Sequence, residues 1–589
     1  MASKIVAVAA ILLTFQQKTW AQNDSVLAIN PLQDPFPYYF PPINNADTPD
    51  LFPMPQCYGF KLEEATIDQL QEEMKHGRLT SAKLLRCYMK RIRQVDEYIN
   101  SIIEVNPDAE DIADALDAER AAGRVRGPLH GIPFVVKDNI ATKDQMETTA
   151  GSWMLLGSVV PRDAHVVAKL REAGALLMGK STLSEWADMR SNNYSEGYSP
   201  RGGQARSPYN LTLNPGGSSS GSAGAVAANV VAFSLGTETD GSVINPAERN
   251  ALVGIKPTVG LTSRAGVIPE SIHQDTVGTF GRTVRDAAYA FDAIYGVDER
   301  DNYTLAQTGN TPEGGYLQYL TNKTALSNAT FGLPWDSFWV HADQEQQSTL
   351  LTLLSILTSA GATILNNTEL PNYETIVSPD GWDWDYGNTA RGRANESEYT
   401  VVKVDFYNNI KAYLSELSNT NLRSLEDIVA YNYANDGTEG GNPWPLGIAA
   451  FYSGQDGFLA SLATKGEMNE TYYQALEFTQ RTTREEGIDA ALANNGRPLD
   501  ALLVPPDVGQ TYQIAAQAGY PMITLPAGVH SDTGMPYGLA LMGTAWSEAS
   551  LLKWASAIED LQVSDGEGIM RTLPKWHAYQ ERNIPVRNL

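Results

Sequence analysis

The stretch NPGGSSSGSAGAVAANVVAFSLGTETDGSVINPA, residues 214–247, decides how this chain folds. Two Gly/Ser-rich turns, at 214–222 and 237–247, bracket a run of small apolar residues from Ala223 to Leu235. A flexible Gly/Ser linker would remain polar on both sides of its glycines. The apolar run instead predicts a fully buried helix, too short to cross a bilayer, which takes roughly 20 residues.

The two turns carry the residue types that an acyl-transfer site needs. Glycines at Gly216, Gly217, Gly221 and Gly241 permit backbone conformations and close approaches that larger residues resist. We therefore expect hydroxyl groups and exposed N–H groups at the ends of a rigid buried element. A serine nucleophile beside backbone donors for an oxyanion is how such a site is built.

These motifs resemble the signature of the amidase signature family, serine hydrolases that cleave carbon–nitrogen amide bonds with a Ser–Ser–Lys triad. The family's lysine motif is similar to GIPFVVKDN at 131–139 and places the lysine at Lys137. The first serine of the Gly-Gly-Ser-Ser turn matches Ser218, and the nucleophile, 24 residues later, matches Ser242. The similarity extends over about residues 60–560. The motif sequences are most similar to those of the peptide amidase branch, which removes C-terminal amide groups from peptides.

The resemblance implies a role for each of these residues. Ser242 would attack the amide and form an acyl-enzyme, Ser218 would relay its proton, and a neutral Lys137 would accept it. A lysine acts as a base only where desolvation lowers its pKa, and Lys137 follows an apolar strand predicted at 134–136. In the family a cis peptide precedes the relaying serine, here between 217 and 218.

The resemblance also assigns the substrate and oxyanion contacts, which would involve Thr239, Asp240, Gly241, Ser242 and Ser218. Many relatives carry Gly where this chain has Asp240, and Arg where it has Ile244. The missing Arg argues against substrates with a carboxylate near the scissile amide. The carboxylate of Asp240 either hydrogen-bonds a substrate amide or braces the loop, and the sequence leaves both open.

Two other functions stay open from the sequence. The first turn also matches the Gly-x-Ser-x-Gly elbow of α/β-hydrolases, an esterase type with Ser219 as nucleophile and His530 or His577 as base. Nothing around either histidine resembles a triad site, and Ser219 and Ser222 are expected to be supporting hydrogen-bonding residues. The second alternative is a catalytically silent, amidase-like binding protein, against which the intact Ser–Ser–Lys set argues.

The N-terminus predicts secretion. Lys4, an apolar run at 5–15 and a cleavage-like Thr-Trp-Ala indicate that residues 1–21 are a secretory signal peptide. Cys57 and Cys87 are expected to form one disulfide in an oxidising compartment. Nine sequons predict an extracellular glycoprotein, at Asn23, Asn193, Asn210, Asn302, Asn322, Asn328, Asn366, Asn395 and Asn469.

The chain is strongly acidic, with a formal net charge of −26. This charge disfavours nucleic acid and anionic membranes as partners, because both attract basic surfaces. The acidic residues are scattered along the chain, so the net charge does not indicate a cationic substrate. We expect a small-molecule or peptide amide as substrate and no membrane span after signal removal. No cofactor is expected, and no His/Cys cluster indicates a metal.

Helix-like and strand-like segments alternate along the chain and predict an α/β fold, with capped helices at 66–76 and 81–98. The resemblance implies a central mixed β-sheet with helices on both faces.

The expected domain organisation begins with an extended arm at 22–58, followed by one large domain at 59–589. The signature core of that domain is expected at about 128–285. An aromatic-rich insertion at about 290–490 is expected to wall the substrate funnel with some of its aromatic side chains.

Overall fold

The computed structural model of the protein describes residues 43–44, 50–377, 393–508, 511–564, 571–583 and 585–586. Ile43 is the last residue of one unit of the chain, and the other described residues belong to a second unit, Asn44–Leu589. The predicted signal peptide at 1–21, the sequon at Asn23 and most of the predicted arm at 22–58 lie outside the described residues.

A large mixed β-sheet forms the centre of the second unit. The strands are β1 Ile102–Val105, β2 Pro133–Lys137, β3 Leu176–Ser181, β4 Tyr198–Ser199, β5 Gly203–Gln204, β6 Phe233–Glu238, β7 Val253–Lys256, β8 Thr276–Gly281, β9 Thr330–Leu333, β10 Thr363–Asn366, β11 Ala501–Val504, β12 Met522–Val529 and β13 Pro536–Met542. Eleven of them form one sheet in the order β1-β3-β2-β6-β8-β7-β12-β13-β11-β9-β10, and β4 pairs with β5 separately. β2 runs parallel to both of its neighbours, β3 and β6, whereas β6 and β8 are antiparallel.

Helices flank this sheet. They are α1 Ile67–Lys75, α2 Ser81–Ile99, α3 Ala109–Ala121, α4 His165–Glu172, α5 Ser220–Ala227, α6 Ile244–Glu248, α7 Val284–Ile294, α8 Gln344–Ser359, α9 Tyr373–Ile376, α10 Glu398–Glu416, α11 Leu425–Ala434, α12 Asp436–Glu439, α13 Asp456–Thr464, α14 Glu470–Thr483, α15 Asp489–Ala493, α16 Thr511–Ala518 and α17 Glu548–Ser564. Every residue of β2, β3 and β6 is buried, which requires cover on both faces of the sheet. The predicted α/β fold with a mixed central sheet is confirmed.

Two groups of buried apolar side chains hold the helices against the sheet. One group joins Phe134 of β2 and Phe233 of β6 to Leu84 of α2. The other joins Ile255 of β7 to Phe291 of α7. The parallel strands β2 and β6 are thus embedded in packed side chains, which fixes the position of the groups at their ends.

The two predicted N-terminal helices are confirmed, and each begins after a threonine cap. The Thr66 hydroxyl accepts a hydrogen bond from the N–H of Gln69 at 3.3 Å, and the Gln69 side chain accepts the N–H of Thr66 at 3.0 Å. Thr80 caps α2 by accepting the N–H of Lys83 at 3.2 Å. The strand predicted at 134–136 is β2.

The prediction of one helix over 223–235 is wrong. Helix α5 ends at Ala227, and Asn229 then adopts a left-handed conformation with φ of +59°. Asn tolerates this conformation, and the branched and aromatic residues that follow favour a strand, so the chain continues as β6 from Phe233. Both elements are fully buried, and a run that is apolar except for Asn229 and Ser234 does not reveal where one ends and the next begins.

Candidate active site

Lys137 is the last residue of β2, and its side chain is fully buried. Its Nζ atom lies 2.7 Å from Ser218 Oγ, 3.0 Å from Thr237 Oγ1 and 3.2 Å from the Thr237 carbonyl oxygen. Thr237 belongs to β6, the parallel neighbour of β2, so strand pairing brings these groups together. Burial lowers the pKa of Lys137 to about 8, although nearby carboxylates, led by Glu270, oppose this shift.

Ser218 lies between this lysine and a second serine. Its Oγ atom is 2.8 Å from the Oγ atom of Ser242, so the three side chains form one continuous hydrogen-bonded row. The peptide bond between Gly217 and Ser218 is cis. A Cβ atom on Gly217 would lie 1.7 Å from the Glu196 carboxylate, so only glycine fits at this position.

Glu238 braces the loop that carries Ser242. This buried residue ends β6, and its Oε2 atom accepts the N–H of Val243 at 2.7 Å and the N–H of Ile244 at 2.9 Å. The buried carboxylate therefore holds the chain on the far side of the loop, where α6 begins. The position of Ser242 is thus fixed by hydrogen bonds to backbone groups that directly follow it.

Backbone donors face the space beside Ser242. Among the described residues, the N–H groups of Asp240 and Ser242 have no acceptor, so both can donate to an oxyanion. Gly241 has φ of +79°, and a Cβ atom there would lie 2.3 Å from the ring of Tyr512. The turn therefore requires glycine, and the ring of Tyr512 covers it. Thr239 is occupied differently, because its hydroxyl donates towards Glu270 and Asp275.

The other serines of the first turn serve the backbone. Ser219 Oγ donates to the Thr237 carbonyl at 3.1 Å, and Ser222 Oγ donates to the Leu235 carbonyl at 2.9 Å. These contacts are what the sequence analysis expected of supporting residues. His530 lies 3.6 Å from Asp343 at a second cavity, and no hydrogen bond joins it to Ser219 within the described residues. The His577 side chain has no hydrogen bond to Ser219 either, so the elbow arrangement of an α/β-hydrolase is not formed among the described residues.

A cavity of about 240 Å³ opens beside Ser242. Its described lining contains four acidic side chains, Asp188, Glu196, Asp240 and Glu270, and no lysine or arginine. Burial raises the pKa of each of these carboxyl groups, and repulsion between neighbouring carboxylates adds to the shift for Asp188, Asp240 and Glu270. The cavity is acidic in its local composition, which the scattered charges along the sequence did not indicate.

No described aromatic residue of 290–490 lines this cavity, and the expectation that this segment walls the substrate funnel stays a prediction. The aromatic lining consists of Tyr194 and Tyr512, which flank that segment in the chain. Trp382 and Trp384 lie outside the described residues, and Trp444 is half exposed. The segment contributes Glu398 of α10, which accepts hydrogen bonds from Gln274 and Gln517.

The other predicted sites fall elsewhere on the molecule. Cys57 and Cys87 form a disulfide. The Nδ2 atom of Asn210 donates to the Thr533 carbonyl at 2.9 Å, and the residue is buried, so a glycan cannot be attached there in the folded chain. The remaining described sequons are exposed, at Asn193, Asn302, Asn322, Asn328, Asn366, Asn395 and Asn469.

The structure also bears on metal binding and on membrane spans. Within the described parts of the chain, no group of three or more His, Cys, Asp or Glu side chains is arranged to hold a metal ion. No helix in those same parts is both long and apolar enough to span a bilayer.

Sequence reasoning missed several residues of the site. Thr237 and Glu238 are the first two residues of the second turn at 237–247, and their place in that turn was the available signal. Asp188, Glu196 and Asn245 line the cavity from separate segments. A single sequence carries no pattern that would join these three positions.

Comparison with known proteins gives a consistent result. The family model described as Amidase matches residues 83–433. A Schizosaccharomyces pombe protein that is named as an amidase is 57% identical over 556 residues, covering 93% of this chain and 92% of its own length. An Arabidopsis thaliana protein, also named as an amidase, is 41% identical over 503 residues, covering 85% and 90% respectively. The crystal structure of the peptide amidase from Stenotrophomonas maltophilia superposes with a TM-score of 0.75 at 37% identity, covering 89% of this chain and 99% of that one.

Proposed function

Because this chain belongs to the amidase family and is an amide-hydrolysing enzyme, we propose that it cleaves the C-terminal amide of a peptide or peptide-like substrate. The reaction would release ammonia and pass through an acyl-enzyme on Ser242. One observation carries the proposal: Lys137 Nζ, Ser218 Oγ and Ser242 Oγ lie in a row with separations of 2.7 and 2.8 Å. Such a row can move a proton from the nucleophile to a buried base.

The contacts of Lys137 indicate how the base is oriented. A neutral amine has two N–H donors and one lone pair. The carbonyl oxygen of Thr237 can only accept, and its Oγ1 atom also lies within hydrogen-bonding distance of Nζ. When both donors of the neutral amine are given to Thr237, the lone pair points at Ser218. The lysine is then positioned to accept a proton from that hydroxyl.

The reaction follows from this orientation. Ser242 Oγ attacks the carbonyl carbon as its proton passes to Ser218, whose own proton passes to Lys137. The backbone N–H groups of Asp240 and Ser242 stabilise the resulting oxyanion. When the tetrahedral intermediate collapses, the carbon–nitrogen bond breaks and the proton returns through Ser218 to the leaving ammonia. Water then repeats the sequence and releases the acid.

Similarity to a peptide amidase supports the choice of a terminal amide as substrate. The lining of the cavity supports it too, because it offers no cationic side chain to a substrate carboxylate. Ile244, which stands where many relatives carry Arg, is fully buried in an apolar cluster. A free C-terminal carboxylate would therefore lack a partner, whereas a neutral carboxamide needs none.

Ammonia release from a matched pair of substrates tests the proposal. The enzyme is incubated with a short N-acetylated peptide amide and with the N-methylamide of the same peptide, and ammonia and methylamine are measured. We expect release from the amide, none from the Ser242→Ala variant, and an unchanged circular dichroism spectrum for that variant. A protein that releases neither amine from any peptide, fatty or aryl amide would be a silent relative, and the proposal would fail.

We also propose that the protein is a secreted glycoprotein. The disulfide between Cys57 and Cys87 and the exposed sequons support this location, because disulfides persist in oxidising compartments. N-terminal sequencing of protein purified from the medium should begin near Gln22, and peptide N-glycosidase should lower its apparent mass. A cytosolic product that retains Met1 and carries no glycan would contradict this proposal.

A further inference from the structure

The four carboxylates of the cavity are not equivalent. Glu196 accepts hydrogen bonds from Ser184 Oγ at 2.5 Å and from Tyr194 OH at 3.4 Å, and Glu270 accepts one from Thr239 Oγ1 at 3.0 Å. These two groups are held by the protein. The Oδ1 atoms of Asp188 and Asp240 are inaccessible to water and have no hydrogen-bond partner among the described residues, although Ser184 and Tyr194 interact with the Asp188 carboxyl group as a whole.

Asp240 does not brace its own loop. That role belongs to Glu238, which accepts the N–H groups of Val243 and Ile244. No described hydrogen bond involves the Asp240 side chain, although the residue lines the cavity two positions before Ser242. Of the two roles that the sequence left open for Asp240, contact with the substrate is therefore the one that the geometry favours.

Asp188 is held in the cavity wall by a constrained backbone. Trp186, Ala187 and Asp188 all have positive φ, at +53°, +55° and +84°. The Trp186 N–H donates to the Ala150 carbonyl at 3.0 Å, and the ring of Trp186 is buried. Non-glycine residues adopt such angles only where the surrounding structure enforces them. The fold thus presents Asp188 to the cavity at a conformational cost.

A buried carboxylate oxygen without a partner is costly. Lys137 interacts electrostatically with Asp188, but its hydrogen bonds go to Ser218 and Thr237, and no lysine or arginine is found in the described lining of the cavity. A ligand can supply what is missing. Since a charge-assisted hydrogen bond shielded from water is stronger than an exposed ion pair, a cation placed here would discriminate between substrates.

We propose that the acyl part of the substrate carries a cationic nitrogen, an ammonium or guanidinium group close to the scissile amide, which binds between Asp188 and Asp240. This inference rests on the proposed function, because it assigns the substrate class of the same cavity. Because Asp188 and Asp240 line the same cavity as Ser242, the cation would lie on or next to the residue that bears the amide. Its source is either a free α-ammonium group or a basic side chain.

Two substrate series separate these sources. The first compares leucinamide with its Nα-acetyl and Nα-succinyl derivatives, so that the α-substituent is cationic, neutral or anionic. The second compares Nα-acetyl-lysinamide with the norleucine and glutamate analogues, which changes only the side chain. We expect kcat/KM for the cationic member of one series to exceed that of its neutral member by about 10- to 100-fold, the effect of a charge-assisted hydrogen bond. The anionic member should be the poorest substrate.

The variants Asp188→Asn and Asp240→Asn test the assignment through the ratio of cationic to neutral substrate, whatever their absolute rates. The ratio should fall towards one in both variants. Asp532→Asn removes the same charge from an exposed position at the second cavity and should leave the ratio unchanged.

The outcomes distinguish the inference from the function on which it rests. If neutral and cationic amides are hydrolysed equally well in both series, or if the ratio survives both substitutions, the cation site is wrong and the amidase proposal stands. If no member of either series is hydrolysed and ammonia release fails for all other amides, the proposed function itself is wrong.

Discussion

The Nζ atom of Lys137 lies 2.7 Å from the Oγ atom of Ser218, and both residues are fully buried. This contact joins the end of β2 to the turn before α5, two segments that are 81 residues apart in the chain. It rests on the parallel pairing of β2 with β6, because Thr237 of β6 supplies the other contacts of the lysine. The base and the hydroxyl relay are thus positioned by the sheet itself.

Replacement of Lys137 should remove the base. Lys137→Ala should lower kcat by about 10²–10⁴-fold, the usual contribution of general base catalysis. Lys137→Arg should fail as well, because a guanidinium group effectively never gives up its proton. Initial rates on a peptide amide measure both effects, and thermal melting checks that each variant is folded. His530→Ala and His577→Ala serve as controls and should retain most of the activity.

The pH dependence of the reaction should report the titration of Lys137. Burial lowers the pKa of this lysine to about 8, so the neutral form that acts as base is depleted below that pH and predominates above it. A plot of kcat/KM against pH should therefore rise through an apparent pKa of about 8 and then level off. The nearby groups Asp188, Glu196, Glu238 and Glu270 oppose the shift, and their neutralisation would move the midpoint to lower pH. A rate that falls as pH rises through this region would contradict the role of the lysine.

Removal of the carboxylate of Glu238 should displace the nucleophile. The Glu238→Ala variant removes the oxygen that accepts the N–H groups of Val243 and Ile244, whereas glutamine would keep one oxygen able to accept both. We expect kcat to fall by about 10- to 100-fold, the cost of a displacement of roughly 1 Å, with a smaller change in KM. Steady-state kinetics separate the two. Glu110→Ala, at an exposed position of α3 away from the site, serves as the control and should alter neither constant.

Loss of the disulfide should lower stability without changing the chemistry. Cys57 and Cys87 are separated by 30 residues, and a crosslink over a loop of this size contributes about 2–4 kcal/mol to the free energy of unfolding. The double variant with serine at both positions should unfold at lower denaturant concentration than the wild type. Reduction of the wild-type protein should reproduce that loss, whereas the reductant should leave the double variant unaffected.

Much of the fold and the row of three polar side chains could be predicted from the sequence, because the evidence is local. Thr66 and Thr80 mark the starts of their helices, because each caps its helix by a hydrogen bond to the residue three positions later. Lys137 and Ser242 lie in short motifs whose residue types already specify the chemistry.

The rest depends on contacts between distant segments. Helix α5 and strand β6 are both buried at every position, so no alternation of buried and exposed residues marked the turn at Asn229. Asp188 reaches the cavity because three successive residues adopt positive φ. The identities of these residues do not predict that conformation. The acidic cavity therefore appears only when the chain is folded.

The most direct test of the account is to locate the covalent adduct. The enzyme is reacted with a fluorophosphonate amide mimic, digested and sequenced by mass spectrometry, with the Ser242→Ala variant treated in parallel. Our account predicts one modified residue, Ser242, no adduct in the variant, and slower labelling after substitution of Lys137 by alanine. An adduct on Ser219, or labelling of Ser242 that is independent of Lys137, would contradict it.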